Sequence, residues 1–322
     1  QFDDPVVLSI DCSKFDMHVD KKALEVEHSI YLYMCNSTFL SNLLKWQLTN
    51  KGSAGGIKYK VVGKRMSGDM NTALGNCILM LLMIAASVAR LGSIAYDMFV
   101  DGDDALVIGE RGDMLVLRER IVQDFLEFGH ELKVDCVADA LVDVEFCQSH
   151  VLRINGSYRF IRNPRKVLSN GVGGVKYSTS IKRQRELVRA VGLCELVLNA
   201  VCPVLESYAL MLIRSAGNVK TLSLEQLGDA KYRVDRELRS LRFGSTADAR
   251  TAPITDDARE DFARAFDFPV DDQLHFEQYF KDNTINFQTS GDGRVTFDTT
   301  TWSVYDDFDS AVDPHSDYYD SI

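Results

Sequence analysis

The sequence predicts an α+β fold, an antiparallel sheet with flanking helices followed by a mainly helical region. Two hairpin signals carry the sheet. Residues 94–108, Ile-Ala-Tyr-Asp-Met-Phe-Val-Asp-Gly-Asp-Asp-Ala-Leu-Val-Ile, read as strand, tight turn and strand, with Asp101-Gly102 at the turn. Residues 144–162 repeat the pattern around Asn155-Gly156, because glycine accepts the positive φ that such turns demand. The third observation is helical spacing of apolar residues over 20–48, 115–129 and 179–214. At 46% hydrophobic over 322 residues, the chain can bury a sizeable core and is long enough for about two domains.

Taken in order, Val6–Ile10 is a short apolar strand, followed by Asp11-Cys-Ser-Lys-Phe-Asp16. Residues five apart on one unbroken strand point to opposite faces. A turn after Asp11 removes that restriction and lets Asp16 lie towards the next helix. Two aspartates after a strand also serve as ordinary turn and cap residues. In the helical stretch 20–48 the candidate core positions are Leu24, Ile30, Tyr33, Phe39, Leu43, Leu44 and Trp46. Lys51-Gly-Ser-Ala-Gly-Gly56 reads as a flexible loop.

Arg65-Met-Ser-Gly-Asp-Met-Asn-Thr-Ala-Leu-Gly-Asn76 then opens a long apolar helix through Cys77–Leu91. Ser67 or Asp69 is placed to cap it, and Gly68 lets the backbone approach a ligand. Thr72 and Asn76, spaced i, i+4, share one helix face. Buried there, they need partners, either a substrate or a neighbouring loop. The apolar run Ile78–Ala86 is too short to span a bilayer. Leu115–Gly129 is an amphipathic helix with Lys133 after it, and Arg162-Asn-Pro-Arg-Lys166 closes the second hairpin. Leu224–Leu241 reads as a further helix. Beyond Phe243 the periodicity fades, and residues 299–322 are expected to be disordered.

Charge is unevenly distributed. From Ser245 to Ile322 there are 5 Lys/Arg and 18 Asp/Glu, a net of −13, so the other residues carry +2 of the total −11. Residues 151–190 hold ten basic groups and one acidic. The seven cysteines are scattered and odd in number, which suits reduced thiols better than a disulfide frame or zinc site.

The aspartates at the first hairpin tip are unusual. Asp101, Asp103 and Asp104 sit between apolar arms, and carboxylates packed this closely resist joint ionisation unless a cation lies between them. Hard oxygen ligands favour Mg²⁺ or Mn²⁺, although a solvated Asp-Gly turn is the commoner fate of such a tetrapeptide.

The order of these features resembles motifs A to E of the palm of viral RNA-dependent RNA polymerases of plus-strand RNA viruses, the tombusvirus-like group in particular. Ser67-Gly-Asp-Met-Asn-Thr-Ala-Leu-Gly-Asn76, Asp101-Gly-Asp-Asp104, Phe146-Cys-Gln148 and Arg162-Asn-Pro164 carry the likeness, which covers roughly residues 5–240. The resemblance implies a palm over 1–162, a mainly helical thumb over 163–244 and an acidic, partly disordered tail over 245–322. Fingers should precede the first motif and are missing here, and the chain opens on Gln1, so a fragment or processed product is expected.

The implied activity is RNA-templated RNA synthesis, with nucleotidyl transfer from NTPs to an RNA 3′-hydroxyl. Two Mg²⁺ (or Mn²⁺) ions would be held by Asp11 and Asp103, with Asp104 assisting. Lys133 occupies the place of a lysine proposed as general acid to pyrophosphate. Asp16, Thr72 and Asn76, with Ser67 nearby, would recognise the ribose 2′-hydroxyl. Gly68 and Phe146-Cys147-Gln148 would face template and primer, and the basic stretch 151–190 the product backbone. Implied partners are RNA template and product, NTPs, other replicase components and the missing fingers. The implied location is the host cell cytoplasm, at membrane-bound replication sites reached through parts outside this chain. Two rivals are a metal-dependent phosphohydrolase, which commonly wants Asp-x-Asp after its first strand, and a non-catalytic RNA-binding module. Ser13 in place of a second aspartate weakens the former, and intact Asp11, Asp103 and Asp104 weaken the latter.

Overall fold

A computed structural model describes residues 2–170, 172, 180–220, 253–289 and 295–297. The helix expected over 224–241 and the aromatic residues Trp302, Tyr305, Phe308, Tyr318 and Tyr319 lie outside the described residues. The chain divides into two compact units, residues 1–149 and 150–322.

The first unit opens with strand β1 (Pro5–Ser13), the single turn α1 (Phe15–His18) and helices α2 (Lys21–Met34) and α3 (Thr38–Gln47). Hairpin β2 (Thr49–Ala54) and β3 (Ile57–Val62) leads to α4 (Thr72–Ala89), then hairpin β4 (Tyr96–Asp101) and β5 (Asp104–Glu110). Helix α5 (Arg111–Glu127), β6 (Glu131–Ala138) and the short β7 (Glu145–Phe146) complete it. The main sheet has the order β4-β5-β1-β6 and is antiparallel throughout.

Alternation along β1 sends Val6, Leu8, Ile10 and Cys12 into one core with Leu79, Met80 and Ile84 of α4 and Met114, Leu117, Ile121 and Phe125 of α5. The other face carries Val7 and Leu106, which pack with Ala138 and Val144. Both helices therefore cover one side of the sheet. Helix α4 has 18 residues with mean hydropathy 2.0, long and apolar enough to cross a membrane, more than its nine-residue apolar run suggested. Its buried face belongs to this core.

Three expectations in this unit need correction. Stretch 20–48 is two helices, separated at Cys35–Ser37, where the Ser37 hydroxyl accepts from the Leu40 amide. Of its candidate core residues Leu24 and Leu44 are buried, whereas Tyr33, Phe39 and Trp46 are exposed. The inward face of α2 instead carries Glu27 and His28, which polar partners satisfy and a purely apolar pattern cannot reveal. Residues 51–56 are not a loop but strand β2 and its turn, with positive φ at Gly55 and Gly56. Neither Ser67 nor Asp69 caps α4. Asn71 holds that position without a side-chain cap bond, because its amide is engaged elsewhere.

The second unit carries hairpin β8 (Ser149–Ile154) and β9 (Ser157–Arg162), turned at Asn155-Gly156 with φ of 50° and 76°. Helices α6 (Pro164–Asn170), α7 (Ile181–Leu198), α8 (Leu205–Ala216), α9 (Asp256–Phe266) and α10 (Val270–Asp282) follow, then a small pair β10 (Phe287–Thr289) and β11 (Val295–Phe297). The faded periodicity read beyond Phe243 is thus corrected for α9 and α10. Their Phe262, Phe266 and Phe280 share one core with Val188, Tyr208 and Leu212 of α7 and α8.

In the basic stretch 151–190 several arginines make contacts inside the unit, while Arg153, Arg162 and Arg183 keep about half of their side-chain surface exposed. Arg153 pairs with Asp257 at 2.6 Å and Arg162 with Glu195 at 2.5 Å. Arg159 donates to the carbonyls of Leu198 and Ala200, Arg165 to those of Phe266 and Asp267, and Arg183 pairs with Glu186. Residues 171 and 173–179 of that stretch lie outside the described residues.

Candidate active site

The register of the main sheet builds a row of charge. Asp101 pairs with Asp104 where β4 meets β5, Asp104 stands opposite Asp11 of β1, and Asp11 stands opposite Lys133 of β6. Directly opposed residues of antiparallel strands share a face, so three carboxylates and one ammonium line a single side of the sheet. This is the side away from α4 and α5. The hairpin turn itself is Gly102-Asp103, with Gly102 at φ 71°, the first central position where a two-residue hairpin wants glycine. Asp103 therefore sits on the tip.

Electrostatics bind these groups together. Burial raises the pKa of Asp103, and the nearby charges of Asp16 and Asp101 raise it further, against a lowering backbone hydrogen bond. The buried Cys12 thiol is pushed up by burial and then by Asp11, Asp103 and Asp104, so all three carboxylates act on one atom. Cys147 is pushed up to about 12 by burial, then by Asp104 and Asp101. Its Sγ lies 3.7 Å from Asp101 Oδ2. Cys147 and Gln148 form a turn with φ of 51° and 57°, which brings this thiol to the aspartates of the β4–β5 hairpin. Phe146 packs with Leu106 and Val144, and Gln148 is exposed.

As ligands, Asp11, Asp103 and Asp104 offer the hard carboxylate oxygens that Mg²⁺ and Mn²⁺ prefer. Burial first, and then the charges of Asp16 and Asp101, disfavour an ionised Asp103, and a divalent ion beside it would offset both, so the donor chemistry suits such a cation. Among the described residues no three His, Cys, Asp or Glu side chains already converge as a finished cage.

A second cluster gathers around Asp16. Strand β1 runs on to Ser13, beyond the turn expected after Asp11. Lys14, with φ 48°, then turns the chain into α1. Asp16 Oδ2 accepts from the Ser67 hydroxyl and Oδ1 accepts from Asn76 Nδ2 at 2.8 Å. Asn76 is 6% exposed, and its amide oxygen is buried with no hydrogen-bond partner. Thr72 does not join this cluster, since its hydroxyl donates to the Met66 carbonyl at 3.2 Å. Gly68 has φ 99°, a conformation that side chains rarely adopt, with open space where a Cβ would stand.

Residues that the sequence did not single out hold this cluster in place. Glu27 of α2 and Arg65 form an ion pair whose side chains are 0% and 1% exposed. Asn71 Nδ2 donates to Glu27 Oε1 at 2.8 Å, and Gln47 links Asn71 to His28. Gly75 of α4 packs against the pair so closely that a Cβ would overlap both side chains. Its neighbour Asn76 holds Asp16, and the next residue, Cys77, accepts from the Gly102 amide at 3.1 Å. Three consecutive residues of α4 thus contact the ion pair, the Asp16 cluster and the hairpin turn. The only prior signal was an acidic residue at i+3 from Leu24, on the apolar face of α2.

Comparison with known proteins is consistent with this geometry. Residues 1–288 match the family model described as viral RNA dependent RNA polymerase. The chain is 36% identical over 309 residues to the RNA-directed RNA polymerase of Melon necrotic spot virus, covering 94% of this chain and 38% of that protein. It is 32% identical over 282 residues to that of Tomato bushy stunt virus (strain Cherry), covering 86% and 33%. Against that of Maize chlorotic mottle virus it is 32% identical over 297 residues, covering 91% and 30%. The chain spans about a third of the length of the curated relatives it matches.

Proposed function

The chain belongs to the viral RNA-dependent RNA polymerase family, tombusvirus-like, and from that premise we propose that it carries the catalytic centre for RNA-templated RNA synthesis. Residues 1–162 are read as the palm and the mainly helical residues from 163 as the thumb, with α9 and α10 belonging to it. The fingers, other replicase components and any attachment to membrane-bound replication sites in the host cytoplasm would come from outside this chain.

Asp11, Asp103 and Asp104 would hold two Mg²⁺ or Mn²⁺ ions. When bound, these supply activation of the attacking 3′-hydroxyl and charge stabilisation at the leaving pyrophosphate. The residues of the chain do the rest. Asp11 and Asp104 converge from two strands, so the rigid sheet, not a loop, fixes their separation. Lys133, at the end of the same row, is the candidate to deliver a proton to a departing pyrophosphate oxygen. Asp16, oriented by Ser67 and Asn76, would accept from the ribose 2′-hydroxyl. The unpartnered Asn76 amide oxygen offers a second acceptor there. Thr72 would act at one remove, by fixing the Met66 carbonyl and so the Ser67-Gly68 loop. Phe146-Cys147-Gln148, beside Asp101, would contact the primer end. RNA and NTPs are accordingly the proposed substrates.

The observation that carries this reading is the cross-strand register of Asp11 and Asp104. A polymerase of the relatives' full length carrying this chain should lose at least about 100-fold of its nucleotide addition on Asp11→Asn or Asp104→Asn. Mn²⁺ should raise the melting temperature of the unaltered chain but not of the double variant. Near-normal addition by both single variants would overturn the proposal.

A further inference from the structure

Between Glu27 and Asp69 the sequence has no acidic residue and six basic ones, Lys45, Lys51, Lys58, Lys60, Lys64 and Arg65, in a protein of net charge −11. Two of the six are engaged. Arg65 pairs with Glu27, and Lys64 Nζ donates to the Met17 carbonyl at 2.9 Å. The register of β2 and β3 sets Lys51 directly opposite Lys60, and Ser53 opposite Lys58. All three lysines therefore project from one face, with Lys58 and Lys60 about 7 Å apart along their strand. Like charges directly opposed destabilise a hairpin. Among the described residues no carboxylate pairs with Lys51, Lys58 or Lys60 to relieve it.

Aromatic surface accompanies the charge. Tyr59 alternates to the reverse face, where its ring lies over Gly52 and any Cβ would overlap it, and it remains 42% exposed. Helix α3, packed beside β2, adds Lys45 and an exposed Trp46. Three unpaired lysines on one strand face suit a chain that offers regularly spaced anions.

We propose that the lysine face of the β2–β3 hairpin is a single-stranded RNA contact surface, with Lys51, Lys58 and Lys60 on backbone phosphates. Choosing RNA over another polyanion rests on the polymerase reading. The hairpin is exposed and its variants should fold, which an unchanged melting curve verifies.

The test titrates the 322-residue chain against a fluorescent 20-nucleotide single-stranded RNA between about 50 and 200 mM salt. Each lost phosphate contact should reduce the slope of log K against log salt by about 0.7, so Lys51→Gln/Lys58→Gln/Lys60→Gln should reduce it by about 2. Tyr59→Ala, on the reverse face, should leave the slope unchanged. A control of equal charge, Lys21→Gln/Lys22→Gln/Lys281→Gln, should lose less than a third as much slope. The proposal is overturned if the hairpin triple variant matches the unaltered chain or the control. It is equally overturned if the lysines govern binding to phosphatidylserine vesicles and not to RNA. Because binding is read without catalysis, an active polymerase that ignores these lysines sinks this proposal alone. An Asp104→Asn chain that still needs them for RNA sinks nothing here.

Discussion

Asn76 Nδ2 donates to Asp16 Oδ1 at 2.8 Å, joining two residues 60 apart in sequence, while the Ser67 hydroxyl takes the other carboxylate oxygen. In the proposed ribose site this arrangement orients a short acidic acceptor and leaves the Asn76 amide oxygen without a donor. Losing a hydrogen bond to a substrate hydroxyl forfeits on the order of 1–3 kcal/mol. Asp16→Ala and Asn76→Ala should therefore each lower the ribo-to-deoxyribonucleotide ratio of kcat/KM by about tenfold to hundredfold. Thr72→Ala should have a smaller effect on the ratio, because its hydroxyl bonds the Met66 carbonyl. Unchanged discrimination in the Asp16 and Asn76 variants would remove both from sugar selection.

The Glu27–Arg65 pair makes a separate prediction about stability. Removing one partner of a buried ion pair leaves an uncompensated charge, which costs about 3–5 kcal/mol. Glu27→Ala should lose that much in urea unfolding of the chain, and it frees Asn71 as well. Glu27→Gln, which keeps an acceptor for Arg65, should lose less. Gly75→Ala should also destabilise, since its methyl would overlap both side chains. A Glu27→Ala cost below about 1 kcal/mol would show that the pair does not anchor the start of α4.

Much of the site was legible before the fold was known, for identifiable reasons. Asp11, Asp103 and Asp104 stand out through their order among the other motifs, since each taken alone is an ordinary turn or cap residue. Asp16 and Asn76 are legible as types, though only the fold brings them into contact. What stayed hidden were groups whose meaning depends on a distant partner. Glu27 looks like a helix-surface glutamate until Arg65, 38 residues on, is set against it. The pairing of Arg153 with Asp257 and of Arg162 with Glu195 likewise joins residues far apart in sequence. Helices α9 and α10 escaped notice because their polar faces are dense in Asp and Glu, while a few phenylalanines do the packing.

His130 supports a prediction about pH. It is 2% exposed, stacks on Phe15 with ring centroids 4.5 Å apart, and its Nδ1 has no hydrogen-bond partner. His18 lies edge-on at 6.0 Å, with Asp20 and Lys64 the other nearby charges. Burial, and then the His18 charge, lower the His130 pKa to about 4, against an unfolded value near 6.5. The unfolded chain therefore binds a proton that the folded chain refuses, and stability falls as pH drops through that window. His28, lowered by burial, acts in the same direction. The melting temperature should stay flat above about pH 6.5 and fall between about pH 6.5 and 5, before most carboxylates titrate. His130→Phe, which keeps the aromatic contact with Phe15, should flatten much of that slope and leave the His28 share. An identical pH profile in the variant would mean that His130 already takes up its proton without disturbing the fold.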